Sequence, residues 1–315
     1  MGRRKDKIDF PRGKVWVEFC RKSLNAKSLY ATEKALESEA FVYDEKSGRV
    51  ACHQNKWRRY RNQGVIPRRQ LIEQVEKVVP GSAAILNDPS WQIFRELASE
   101  ERFDSVRMLR TLPPGIIKRL FIFGGEHDDL WNLRAVTERT ITQLERRVDL
   151  AGMAALSVLI VESSRSGKGE LALELGGALF CSLLRMAAGP DRVMAEAAPG
   201  LFDVLCERVF PKAASATRRL CVERVNFQQV IELAMYLAKV RQSGEQARNK
   251  AAPRFDFSDG AFTQIGFLAF AAPCETIKKT KKEPKESKRC CDSSIVELWG
   301  NAYAKLMSEV ELVNN

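Results

Sequence analysis

Two nearly unbroken apolar stretches constrain this chain more than any other feature. "DLAGMAALSVLIVESS" and "GELALELGGALFCSLLRMAA" are apolar almost all round a helical repeat. Both are too rich in alanine, leucine and methionine for strands, and a helix with no polar face has to be surrounded by protein. They are therefore expected at the centre of a helical bundle. The longest apolar run, "LAGMAALSVLIV" (150–161), is too short to cross a bilayer, and no membrane contact is expected.

The flanking sequence fits helices around that centre. "SWQIFRELAS" offers a serine cap before its apolar positions, and "PPGIIKRLFIFGG" places prolines where a helix start tolerates them. "DDLWNLRAVTERTITQLERRVDLA" spaces Leu130, Leu133, Val136, Ile141, Leu144 and Val148 for one buried stripe, with aspartates at its start and arginines at its end. "GLFDVLCERVF" and "NFQQVIELAMYLAKVRQ" complete the set. The expected fold is mainly α, with a small basic N-terminal helical region followed by a larger helical bundle. The expected divisions are 1–88 (basic), 89–277 (bundle), 278–292 (basic linker or loop) and 293–315 (amphipathic closing helix).

Charge separates these parts. The net charge is +11, and residues 1–78 hold 19 Lys+Arg against 10 Asp+Glu. Residues 278–289 hold seven Lys+Arg against two Glu, and the remainder of the chain is slightly acidic. Basicity gathered into two places is the footprint expected for a polyanionic partner. The lysine-rich stretch reads first as a solvated linker that could add non-specific phosphate contacts.

Local enzyme chemistry is scarce. "VLIVESSRSGKGE" (158–170) resembles a phosphate loop only superficially. Glu162 stands where such a loop needs its first glycine, and Gly169 stands where it needs a magnesium-binding hydroxyl. It reads as a loop between helices. There is no G-x-S-x-G elbow, no H-E-x-x-H and no CxxC; the two histidines, His53 and His127, have no neighbouring nucleophile motif. Eight irregularly spaced cysteines suit reduced thiols in a cytoplasmic protein. No cofactor and no metal site are expected, and the chain leans away from an enzyme.

The most informative segment is "HQNKWRRYRNQGVIPRRQLIEQVEKVVPGS" (53–82). A helix from about His53 to Asn62 carries Trp57 and Tyr60 on one edge, Gly64 stops it, and Pro67 turns the chain. A second amphipathic helix over 68–79 repeats Leu71, Ile72, Val75, Val78 and Val79. Upstream, 41–50 reads as a loop or small hairpin around Ser47–Gly48. Val15, Trp16, Phe19 and Cys20 share one side of an earlier helix.

The order aromatic, aromatic, Gly64, Pro67 and packing helix resembles the second half of a Cro/lambda-repressor-like helix-turn-helix domain, over about 30 residues. Where that family has a compact turn, this chain has the longer, more strand-like "FVYDEKSGRVACHQ". The resemblance implies that Asn55, Lys56, Arg58 and Arg59 lie towards a DNA major groove. Arg61, Arg68 and Arg69 would meet phosphates. Such side chains suit a groove, since Arg or Lys donates to guanine and Asn pairs with adenine. The expected function is a nucleic-acid-binding regulator contacting double-stranded DNA, its helical body used for dimer or partner contacts. The alternative is an adaptor or assembly subunit that binds another protein or a ribonucleoprotein.

Overall fold

The computed structural model describes residues 6–44, 46, 50–53, 55–99, 103–123, 131–189, 191–224, 227–228, 231 and 274–276. Within these the protein is mainly α. The N-terminal layer runs α1 (Asp9–Ser23), α2 (Leu29–Leu36), β1 (Phe41–Tyr43), β2 (Val50–His53), α3 (Lys56–Asn62), α4 (Arg69–Val78) and α5 (Ser82–Leu86). The bundle follows with α6 (Pro89–Glu96), α7 (Ser105–Leu109), α8 (Pro114–Leu120), β3 (Phe121–Phe123), β4 (Trp131–Leu133) and α9 (Glu138–Glu145). It continues through α10 (Leu150–Arg165), α11 (Gly169–Ala188), α12 (Arg192–Ala195) and α13 (Ala198–Arg208). A short antiparallel ribbon pairs β5 (Arg218–Leu220) with β6 (Cys274–Thr276).

The two apolar stretches are the central helices, α10 and α11. Thirteen of the sixteen α10 residues are buried, so the helix has no solvent face to speak of. Asp149 caps α10 by accepting from the Gly152 N–H at 2.7 Å. Among the described residues, α11 is the one helix long and apolar enough to cross a membrane, and two-thirds of its apolar window is buried against the bundle. The segment between them, 166–168, joins helix to helix. That topology removes the strand a phosphate loop would need.

Two apolar cores meet at α1. Ile8 and Val15 join the large core with α6 to α13. Trp16, Val17 and Cys20 join a smaller one with Trp57, Tyr60, Leu71, Val75, Val79 and Leu86. Thus α1 belongs to both regions, and Phe19 packs against both cores. Its N-terminal end is tied down by charge as well. Asp6 accepts from Arg208 Nη2 at 2.8 Å, and Asp9 pairs with Arg95.

Several expected helices are shorter or start elsewhere. The run 128–151 is not one helix. Trp131–Leu133 pairs with Phe121–Phe123 as an antiparallel ribbon, and α9 begins only after Thr137, whose hydroxyl accepts from the Thr140 N–H. Aromatic, strand-favouring residues on both sides supply the pairing. Val148 then takes a left-handed φ of 51° before the Asp149 cap. Asp88, not Ser90, caps α6, with Pro89 at its first position. The expected helix over 53–62 starts at Lys56, because Val50–His53 pairs with Phe41–Tyr43. Ser47–Gly48, Asp128–Asp129, most of 225–250 and the expected segments 278–292 and 293–315 lie outside the described residues.

Candidate nucleic-acid interface

Helix α3 is held by its aromatic edge. Trp57 stacks on Trp16 of α1, with ring centroids 4.9 Å apart and planes 17° from parallel. Tyr60 meets both indoles edge-on. The two helices approach so closely that a Cβ on Gly13 would lie 2.4 Å from the Tyr60 carbonyl oxygen. Gly64 ends α3 with φ of 59°, a backbone shape suited to glycine, and its α-carbon sits under the Phe10 ring. Burial pushes the Tyr60 phenol up to about 12, with the Glu37 carboxylate adding to the shift. The ring therefore serves as a neutral packing group.

Side-chain direction sorts the candidate residues. At about 100° per residue, Arg58, Arg59 and Asn62 point away from the Trp57–Tyr60 edge, whereas Lys56 and Arg61 flank it. The structure follows this division. Arg58 and Arg59 are exposed and have no ion-pair partner among the described residues. Lys56 Nζ is paired with Glu37 Oε1 at 3.0 Å. Arg61 Nε donates to Glu18 Oε1 at 2.6 Å, and its Nη2 reaches Glu196 Oε2 at 3.5 Å. Arg61 is thus a tie between α1, α3 and the residue following α12.

Glu18 is buried on α1 and also accepts from Arg21 at 2.7 Å. Burial alone would raise its pKa. Hydrogen bonds from Arg21 and Arg61, with their charges, outweigh that effect and hold it below the ordinary value. Lys14 completes the network through Glu196 at 2.8 Å.

The N-terminus of α3 is occupied by two carboxylates of the α2 segment. Glu33 and Glu37 are only 2% and 4% exposed. Glu33 Oε1 accepts from the Lys56 backbone N–H at 3.0 Å. Glu37 accepts from Lys56 Nζ and, at 2.9 Å, from Trp57 Nε1. This is a helix cap supplied from another helix, since Asn55, left-handed at φ of 51°, provides no cap from its own side chain.

The exposed cations continue onto α4. Arg68 stands at its N-cap with no capping hydrogen bond, and Arg69 makes an exposed i,i+4 pair with Glu73 at 2.7 Å. Between α3 and α4 lies an open groove of about 910 Å³ of mixed charge, bordered by Lys56, Arg59, Arg68 and Lys77 and by Glu37, Glu39 and Glu73. An uncapped helix start beside arginines favours an anion. Of the seven candidate residues, Arg58, Arg59, Arg68 and Arg69 are exposed towards solvent. Asn55 is exposed at the helix start, and Lys56 and Arg61 are drawn into internal pairs.

The two glutamates and Glu18 escape sequence reading because no local motif joins them to α3. Their partners lie up to 43 positions away. The remaining chemistry is sparse. Burial pushes the thiols of Cys20, Cys181 and Cys206 up to about 12, so none of the three is a thiolate at neutral pH. Among the described residues, no group of three or more His, Cys, Asp or Glu side chains is placed to hold a metal ion. No family model, curated protein or solved structure matches the chain.

Proposed function

We propose that this protein is a nucleic-acid-binding regulatory protein that holds double-stranded DNA against the exposed α3–α4 face. One observation carries the reading: Arg58, Arg59 and Arg68 are exposed without ion-pair partners among the described residues, the first two on α3, fixed by the Trp16–Trp57–Tyr60 cluster, and the third at the start of α4, fixed through Leu71 and Val75. Exposed arginines on a rigid base suit the phosphates of a duplex, because the guanidinium fork keeps its charge and loses little freedom on binding. The helical body supplies mass and surface for dimer or partner contacts. Fluorescence anisotropy of the full chain with a random 30-bp duplex at low salt tests the proposal. Saturable binding, weakened by Arg58→Ala/Arg59→Ala, supports it; no binding at low salt contradicts it.

An adaptor reading has its own observation. Tyr30, Val42 and Tyr43, on α2 and β1, are 41%, 60% and 44% exposed. Large apolar side chains exposed on β1 and on the adjoining α2 suit a protein contact. A Val42→Ser/Tyr43→Ser variant that loses a partner and keeps its DNA affinity would favour that use of the hairpin.

A further inference from the structure

We infer that the α3–α4 face grips duplex DNA through its phosphates without reading sequence, because the base-reading end of α3 is closed by Glu33 and Glu37. This rests on the DNA-binding reading above and specifies its ligand. In helix-turn-helix docking the N-terminal residues of the recognition helix enter the groove and touch base edges. Here that end carries two buried carboxylates. Glu33 takes the first helical N–H, and Glu37 takes the Lys56 ammonium. A phosphate or base edge arriving there would displace a satisfied hydrogen bond and face negative charge.

Geometry adds a second reason. Seven residues make α3 about 10 Å long, and the α2–β1 connection stands at its N-terminal end. The cations left accessible are spread over two elements: Arg58 and Arg59 midway along α3, Arg68 and Arg69 at the start of α4. Arg59 and Arg68 border the same groove, whereas Arg58 and Arg69 lie outside its lining, and cations dispersed in this way suit a phosphate backbone better than a groove floor. Lys56, which the helix-turn-helix resemblance would send to the bases, is a positioning residue: it locks α3 to Glu37.

The test uses the full chain and two readouts. A pool of 30-bp duplexes with a random core is equilibrated with the protein, and the bound fraction is sequenced. In parallel, the salt dependence of anisotropy is measured for Lys56→Gln and Arg59→Gln. The amide introduced by Lys56→Gln can still donate to Glu37. We expect no enriched motif, a Lys56→Gln salt slope equal to the parent's whatever its affinity, and an Arg59→Gln salt slope lower by about 0.9. A motif preferred at least a hundredfold, or a Lys56→Gln slope that falls as far as that of Arg59→Gln, overturns the inference and leaves DNA binding standing. Absence of any binding to the pool would instead remove the DNA-binding reading itself.

Discussion

The two cores of this molecule are held by different means. Around α10 and α11 nearly every buried side chain is apolar, aliphatic along α10 and joined beside α11 by the packed rings of Phe180, Phe202, Phe210 and Phe227. The N-terminal core is small, built around Trp16, Trp57 and Tyr60, and its edges are closed by charge: Glu18 with Arg21 and Arg61, and Glu37 with Lys56 and Trp57. The first core gains stability from area removed from water. The second adds hydrogen-bonded ion pairs that fix direction more than they add stability. The difference suits a division of labour in which the bundle supplies stability and the N-terminal layer sets arginines at fixed positions.

Substitutions can break that contrast, beginning with the largest effect. Leu156, fully buried at the centre of α10, should cost about 3–4 kcal/mol when replaced by alanine, read from urea unfolding. A loss below about 1 kcal/mol would mean that α10 is not central. Gly13→Ala should cost about 2–3 kcal/mol, as the added methyl meets the Tyr60 carbonyl. It should also weaken DNA binding by displacing α3, an effect Leu156→Ala should not show under folded conditions.

Smaller effects sharpen the comparison. Glu18→Gln should cost about 1 kcal/mol at neutral pH, with a pH dependence of defined sign. The folded-state pKa of Glu18 is lowered from 4.5. Its contribution is therefore complete above that value and is lost as pH falls through the folded pKa. The stability gap between parent and variant should close on the acid side of pH 4.5, and a gap that persists unchanged there would assign the loss to packing. Arg69→Ala breaks only an exposed pair with Glu73 and should change stability by less than about 0.5 kcal/mol. Its effect should appear in DNA affinity at low salt, by several fold.

Legibility in the sequence follows the same contrast. The α10 and α11 helices, the inter-helix character of 166–168 and the α3–Gly64–Pro67–α4 order all rest on local chemistry, namely hydrophobic pattern, glycine and proline. The pairing of 121–123 with 131–133 is hidden because Leu130, Leu133 and Val136 also fit a helical stripe. Only the pairing of Phe121 with Leu133 decides between the two. In the candidate site, the resemblance sent Lys56, Arg58 and Arg59 to the groove and Arg61 to phosphates, and residue type alone does not reveal that Lys56 and Arg61 are paired internally. The carboxylates that hold them sit on α1, on α2 and its C-cap, and beside α12, where no spacing rule reaches. The i,i+3 placement of Trp57 and Tyr60 carried the one usable signal, since it fixes which neighbours flank the buried edge.

The most direct measurement compares the two basic places in the chain. Salt titrations of duplex binding would be run on the full chain, on Arg58→Ala/Arg59→Ala and on a chain lacking residues 278–289. The expected result is a slope lower by about 2 for the double variant and a chain lacking 278–289 that still binds with most of its affinity. Binding abolished by that deletion, with the double variant indistinguishable from the parent, would contradict the assignment of the DNA-binding face to α3 and α4.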